Sequence, residues 1–431
     1  MYYTTHPADT QAPSLNNLLL FQENRVYWYC QVCEYEEGFH NMSKNFLFFS
    51  AQYLPTVGGV ERFTNHLARR LIQDGHHVMI ATSSLELLPS HETDADGIEI
   101  FRFPSWPFMN GRLPLLRLNR QFRHLASQLW ESSIDYCVIN TYFYPLSMYA
   151  AAQAHRRNLP ALILNHGSAW LMTSNKLLEL AGQLYERCAA ALCHHNCRHF
   201  YGVSDAAGQW LRTFSIAAEG NITNAINPDN IIQSRNIDID WRVKLGLPED
   251  AKLIVFVGRM IPEKGVEQLI AAMPSIRQTH PDAFLVMAGD GVLLGKYLHA
   301  APNGVFLLGS QAYPDVLALL SQGDLFCLPS RSEGFACTVL EAAALGCPIV
   351  TTATGGSPQL LVSPAYGILL PDMSSESISK ACIQALKDPD WRKTASQLAK
   401  ARLCSEFTWD TSVTQLYRAF GLLENHPGSP D

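Results

Sequence analysis

The chain has 431 residues, 47% of them hydrophobic and 16% charged, with a formal net charge of −7. This balance belongs to a folded protein of two or three domains and excludes a disordered chain. It also excludes a general nucleic-acid binder, which carries a basic footprint, and no run reaches the roughly 18 apolar residues of a membrane span. Met1 is followed by a polar, Pro-containing stretch with no secretory pattern, and the eleven cysteines are scattered through apolar segments. Reduced thiols and a cytoplasmic protein are expected.

Residues 1–41 have poor periodicity and predict no domain. Met42 is the expected natural start, with the preceding stretch an added extension of unclear status. Cys30, Cys33 and His40 lie there, but a lone C-x-x-C without a second pair predicts no zinc site. From Lys44 the pattern alternates. Asn45 to Ser50 reads as a strand, Ala51 to Gly59 as a loop, Val60 to Gln73 as a helix ended by Gly75, and His77 to Thr82 as a strand. Such a βαβ unit implies a parallel sheet. The adjacent Gly58 and Gly59 open the helix without side chains, so a phosphate can approach the backbone closely there; the alternative is an ordinary tight turn.

Gly111 to His124 carries Arg112, Arg117, Arg120, Arg123 and His124 among leucines. The spacing predicts a basic amphipathic helix, suited either to solvent or to peripheral contact with an anionic membrane. Asp135 to Thr141 and Ala161 to Asn165 are further strands. His166 follows the second directly, which aims it at the ligand crevice of an open parallel sheet or makes it a capping residue. Cys188, Cys193, His194, His195, Cys197 and His199 cluster, yet their spacing fits no closed tetrahedral site and reads as helix end and surface. Asn221 to Asn227 is expected to be the last strand of this half.

Pro228 to Asp250 is polar and aperiodic, a connection between domains. Asp94-Ala95-Asp96 and Asp238-Ile239-Asp240 are D-x-D triplets outside any Gly-rich strand end, and no metal role is assigned to them. The pattern then restarts. Leu253 to Val257 is a buried strand followed by Gly258-Arg259-Met260-Ile261-Pro262-Glu263-Lys264-Gly265. An Arg fork and a Lys point charge beside a helix start suit a diphosphate. Ala283 to Ala288 and Val305 to Leu308 are strands ending in Gly289 and Gly309.

The stretch from Asp324 to Leu361, DLFCLPSRSEGFACTVLEAAALGCPIVTTATGGSPQLL, reads as strand, loop, helix, strand, loop. Glu333 falls in the loop at the mouth of the sheet, and Glu341, after seven intervening residues, about one turn into the helix. The amides of Phe335, Ala336, Cys337 and Thr338, just past Gly334, sit at the helix start, where free N–H groups and the dipole favour an anion. Carboxylate oxygens accept from the hydroxyls of a vicinal diol. A nucleotide sugar has a diol at each end, so one segment can hold the sugar by Glu333, the diphosphate by backbone and the ribose by Glu341.

In that context the run S-E-G-F…L-E-A…G-x-P-I-V…G-G resembles the Glu-x7-Glu signature of the retaining glycosyltransferases of family 4. P-T-V-G-G-V-E-R, Val203-Ser204-Asp205, Asn227-Pro228 and V-G-R…P-E-K-G resemble further features of that family, and together they cover about residues 43 to 424. The resemblance implies the GT-B fold: two Rossmann-like α/β domains facing each other across a cleft. Residues 42–235 would bind the acceptor, 236–408 the nucleotide sugar, and a helix within 409–424 would cross back to the first domain. It also implies that Gly58 and Gly59 face the donor diphosphate, that His166 contacts the transferred sugar, and that Arg259 and Lys264 neutralise the leaving diphosphate. Backbone near the end of the Val305 to Leu308 strand would read the base, which makes Leu308 to Tyr313, with Leu308 and Gly309 at its start, the expected base pocket. The implied reaction is metal-independent hexosyl transfer with retention from a UDP- or GDP-sugar, without further cofactor, to a glycan, lipid-linked or small-molecule acceptor. An NAD-dependent oxidoreductase would need G-x-G-x-x-G after the first strand, which Ala51 to Gly59 lacks. A non-catalytic GT-B protein and a sugar-nucleotide epimerase are the other readings.

Overall fold

A computed structural model describes residues 43–423 apart from 57, 85–87, 110, 171–175 and 299. Cys30, Cys33 and His40 lie outside the described residues. Two open sheets organise the rest. The first is built from β1 (Asn45–Phe49), β2 (His77–Ser84), β3 (His91–Thr93), β4 (Glu99–Phe108), β5 (Leu113–Leu116), β6 (Tyr136–Asn140), β7 (Ala161–Asn165), β8 (Phe200–Gly202) and β9 (Gly220–Asn221). The second is built from β10 (Lys252–Val257), β11 (Ala283–Ala288), β12 (Val305–Gly309), β13 (Leu325–Leu328), β14 (Ile349–Thr352) and β15 (Ile368–Leu370).

The second sheet is all parallel in the order β12-β11-β10-β13-β14-β15. Counted within that half, this is the 3-2-1-4-5-6 order of a dinucleotide-binding fold, which reverses between β10 and β13 and opens its crevice there. The first sheet repeats it as β4-β2-β1-β6-β7-β8, with β9 added at one edge and β3 and β5 pairing antiparallel to β4. Both halves are therefore Rossmann-like, and the fold is GT-B. Strands buried on both faces explain the uninterrupted apolar runs. In β1, Phe46 and Phe48 join one core while Leu47 and Phe49 join the core on the opposite face, all fully buried.

The helix Gly59–Gln73 follows β1 as the glycine pattern predicts, with Gly58 at its N-cap. The final helix Trp409–Ala419 packs its Val413, Leu416 and Tyr417 into the core beside that helix, and Gln415 accepts from the Thr223 amide at 2.8 Å. No helix among the described residues is long and apolar enough to cross a membrane.

Three expectations are corrected. The stretch 111–124 is not one helix. It holds a turn at Gly111 (φ 82°), the strand β5, and only then the start of the helix Arg120–Glu131, capped by Asn119. Pro114 has no N–H for a helix interior, and the long strand β4 offers Leu113–Leu116 an antiparallel partner from Ser105 to Phe108. The last strand of the first half is two residues rather than seven, and the chain from Ile222 to Asn227 runs irregularly between the halves. The connection 228–250 contains two short helices, Pro228–Gln233 and Trp241–Lys244, capped by Asn227 and Asp240. Asp240 is thus a cap. Asp94 accepts the Asp96 and Ile98 amides at 2.9 Å, and Asp96 pairs with Arg69. In the cysteine-histidine cluster, Cys193 and Cys197 are buried, their thiols donating to the Tyr142 and Ala161 carbonyls, while Cys188, His195 and His199 are exposed.

Candidate active site

The carboxyl ends of β6, β7, β10 and β13 converge between the halves, and the loop 330–336 after β13 is bonded directly to the first half. The Ser168 hydroxyl donates to the Glu333 carbonyl at 2.6 Å, Ser204 Oγ to the Gly334 carbonyl at 2.7 Å, and Asn224 Nδ2 to the Phe335 carbonyl at 2.9 Å. All three donors belong to the first half. Gly334 lies so close to the His166 carbonyl that a Cβ there would collide with it. From behind, Gly355 (φ 56°) packs on the Glu333 carbonyl and Gly356 on the Phe335 ring. The glycines of this region allow backbone to lie against backbone on both sides of the loop.

Glu333 forms an ion pair with Lys264, and the two side chains are only 11% and 17% exposed. Lys264 ends a single 3-10 turn after β10, and Arg259 stands exposed in the same connection. The sequence separates the roles of Glu333 and Lys264; the structure brings them into contact across 69 residues. Their charges neutralise each other, which makes burial of both tolerable. The helix that follows is Cys337–Ala344, with Ala336 at its N-cap. Its first amides have no partner within the helix and open toward the same loop.

Glu341 is one turn into that helix, as expected, and is 4% exposed. Burial raises its pKa above the ordinary carboxylate value, and a hydrogen bond from Tyr313 and the charge of Arg62 oppose the rise. The Tyr313 hydroxyl donates to Glu341 Oε1 at 2.9 Å, and the Arg62 guanidinium of the first half lies 5.4 Å from the Tyr313 ring centre. A cavity of about 800 Å³ opens at this end of the cleft, lined by Arg62, His66, Asn224, Tyr313, Cys337 and Glu341. Leu308 and Gly309 end β12, and Gln311 Nε2 donates to the Leu308 carbonyl at 2.7 Å, shaping the turn that leads to Tyr313.

His166 lies just past β7. Its Nε2 meets Asn140 Oδ1 at 2.8 Å, and its ring sits edge-on to Phe63 at 5.1 Å. Thr64 settles the protons. Its hydroxyl donates to the Val60 carbonyl at 2.8 Å, so it accepts from Asn140 Nδ2 at 3.0 Å, and Asn140 presents its oxygen to His166. Nε2 therefore carries the hydrogen and Nδ1 keeps a lone pair. Burial pushes the His166 pKa down to about 3, so the ring is neutral. An unfolded His titrates near 6.5. Below that pH the unfolded chain binds a proton that the folded chain refuses, so stability falls from about pH 6.5 toward 3 and this contribution is flat above 6.5. His166→Asn removes it. The melting temperature of the wild type is expected to drop more between pH 7.5 and pH 5 than that of the variant, and parallel drops would show that the ring is not held neutral.

On the other side, the Gly58 backbone lies against the Glu61 carboxylate, which is 6% exposed, so a side chain at Gly58 would strike it. Gly59 has open space around it. Sequence reasoning placed Tyr313 at the end of the base pocket but missed its bond to Glu341, and it missed Arg62 and Asn140. Asn140 had a legible signal, since it ends a parallel strand as Asn165 does. Arg62 had none, because its place beside the Tyr313 ring is a contact between halves.

Two facing Rossmann-like halves, with a carboxylate at each end of a helix start and basic residues beside it, define the GT-B glycosyltransferase class. Residues 238–402 match the family profile "Glycosyl transferases group 1" and residues 57–223 match "Glycosyltransferase Family 4". The chain is 31% identical over 386 residues to the GDP-mannose-dependent monoacylated alpha-(1-6)-phosphatidylinositol monomannoside mannosyltransferase of Corynebacterium glutamicum, covering 85% of this chain and 95% of that one. It belongs to the GT-B glycosyltransferase family that these matches define. Among solved structures, the sucrose-phosphate synthase of Thermosynechococcus elongatus superposes with a TM-score of 0.68 at 19% identity over 88% of this chain and 98% of the other. HepE of Anabaena, solved with UDP and glucose, gives 0.66 at 19% over 88% and 100%.

Proposed function

We propose that this protein is a retaining hexosyltransferase that moves a sugar from a UDP- or GDP-sugar to a glycan, lipid-linked or small-molecule acceptor, in cell-envelope polysaccharide or glycolipid synthesis on the cytoplasmic side. The observation that carries this reading is the placement of Glu333 and Glu341 at opposite ends of one helix start, with Lys264 on the first and the 800 Å³ cavity at the second. In this reading Glu341 holds the ribose, the amides of Ala336, Cys337 and Thr338 hold phosphate, and Glu333 and neutral His166 accept from sugar hydroxyls. Arg259, Lys264 and the amides stabilise the charge that grows on the leaving diphosphate, with no metal or cofactor beyond the donor. Glu333 is engaged by Lys264, which argues against a carboxylate nucleophile. The acceptor oxygen attacks the anomeric carbon on the face the diphosphate leaves; the C–O bond to phosphate breaks, and the acceptor proton goes to the departing phosphate oxygen.

The corynebacterial relative is named for GDP-mannose and HepE was solved with UDP, so both bases belong in the test. A thermal-shift titration of the full chain with UDP, GDP and ADP should find one that raises the melting temperature, since a ligand of the folded state stabilises it by mass action. Glu341→Ala should weaken that nucleotide by about 10- to 100-fold, the worth of hydrogen bonds to a charged group. A well-folded protein that binds none of the three would favour a non-catalytic GT-B protein.

A further inference from the structure

The hairpin that replaces the expected helix is placed and coloured for a task that the donor site does not need. Strand β4 pairs with β2 in parallel register as far as Pro104, and its last residues, Ser105 to Phe108, pair only with β5. The hairpin therefore stands out past the carboxyl edge of the first sheet, the edge that also carries Gly58, Gly59 and His166. Its turn is tied to that edge, because Gln52 Nε2, in the loop before the two glycines, donates to the Gly111 carbonyl at 2.6 Å. Trp106, Phe108, Met109 and Leu118 are 56%, 52%, 40% and 71% exposed. Four such side chains in one short segment make an apolar patch of the kind that marks an interaction site.

The patch is framed by exposed Arg112, Arg117, Arg120, Arg123 and His124, and the sequence has no Asp or Glu from residue 100 to residue 130. The Arg117 guanidinium lies 5.5 Å from the Trp106 ring centre. In a chain with net charge −7 this is a local concentration of positive charge around aromatic side chains. Trp and Phe settle at the headgroup level of a bilayer, aliphatic side chains enter just below it, and arginines beside them hold anionic headgroups. A second copy would set arginine against arginine. A nucleic-acid backbone would leave Met109 and Leu118 without apolar contacts.

We infer that the hairpin of Ser105–Phe108 with β5, together with the start of the helix Arg120–Glu131, docks the first half of the protein onto an anionic phospholipid surface. The docked orientation sets the mouth of the cleft beside the headgroups, where an acceptor anchored in the bilayer presents its sugar or headgroup. The inference does not depend on the donor reading, and its test uses no sugar nucleotide.

The full chain is sedimented with vesicles of phosphatidylcholine alone and with vesicles holding about 30% phosphatidylglycerol, at low and high salt. Binding is expected to the anionic vesicles at least tenfold more tightly than to the neutral ones, and to fall at high salt. The double variant Arg117→Glu, Arg120→Glu should lose at least about tenfold, since each arginine at such a surface contributes about fivefold. Trp106→Ser with Phe108→Ser should also lose binding, while an exposed change elsewhere, Lys393→Glu, should not. All these positions are on the surface, and an unchanged melting temperature confirms the fold of each variant. Equal binding to both vesicles, no binding, or full binding by both double variants would overturn the inference, as would a preference for an RNA duplex over the vesicles.

Discussion

Lys264→Ala is expected to slow glycosyl transfer by about 10²- to 10³-fold, the loss seen when one preorganised charge stabiliser is removed from a transition state. Two consequences combine. In the proposed reading the positive charge that meets the leaving diphosphate is gone, and Glu333, 11% exposed, is left with no ammonium beside it. An uncompensated carboxylate next to a departing diphosphate opposes the same charge development that Lys264 favours. The double variant Lys264→Ala, Glu333→Gln should therefore be less impaired than the two single losses multiplied together. Binding separates this role from a merely structural one. If Lys264 acts on charge that appears only in the transition state, the rate of a saturated enzyme falls much more than the affinity for the nucleotide diphosphate. A rate within threefold of wild type would remove Lys264 from the chemistry.

The two carboxylates and the two basic residues were legible because each sits in a local pattern: a strand, a small polar loop and a helix start that the next few residues specify. The same holds for the sheets, whose buried strands are continuous apolar runs with glycines at their ends. What the local pattern cannot carry is the partner. The Lys264–Glu333 ion pair joins different crossover connections of one sheet, and the Tyr313–Glu341 bond spans 28 residues. The Arg62–Tyr313 stacking crosses between halves. The stretch 111–124 fails for the same reason. Its arginines and leucines have helical spacing, but Pro114 forbids a helix interior and a strand earlier in the chain offers pairing that periodicity does not count. Residues 222–227 look β-branched and strand-like, yet their hydrogen bonds go to both halves, as when the Ile226 amide donates to the Phe407 carbonyl at 3.1 Å. A segment that must pass from one half to the other has no room to extend a sheet edge.

Gly334→Ala tests how much of the activity depends on that joining of halves. A Cβ at Gly334 would lie on the His166 carbonyl, with Val203 Cγ2 at 3.5 Å beside it. Backbone cannot swing aside as a side-chain end can, and Gly355 holds the loop from behind, so the strain is relieved only by moving the loop 330–336 away from the first half. That movement breaks the bonds from Ser168 and Ser204, at 2.6 and 2.7 Å, which position the Glu333 and Gly334 carbonyls. Phe335 and Ala336 of this loop belong to the core of the second half, so the melting temperature should fall somewhat, by much less than function does. The distance between His166 and Glu333 would grow by about 1 Å or more, and if both hold the transferred sugar as proposed, a displacement of that size costs about 10²-fold in rate. Small-angle scattering is expected to give a larger radius of gyration for the variant, and kcat/KM should fall by about that factor with nucleotide binding kept within about tenfold, because Glu341 and the helix start stay together in the second half. Full activity with unchanged scattering would mean that the loop yields on its own and that the contact between Gly334 and His166 does not set the reacting distance.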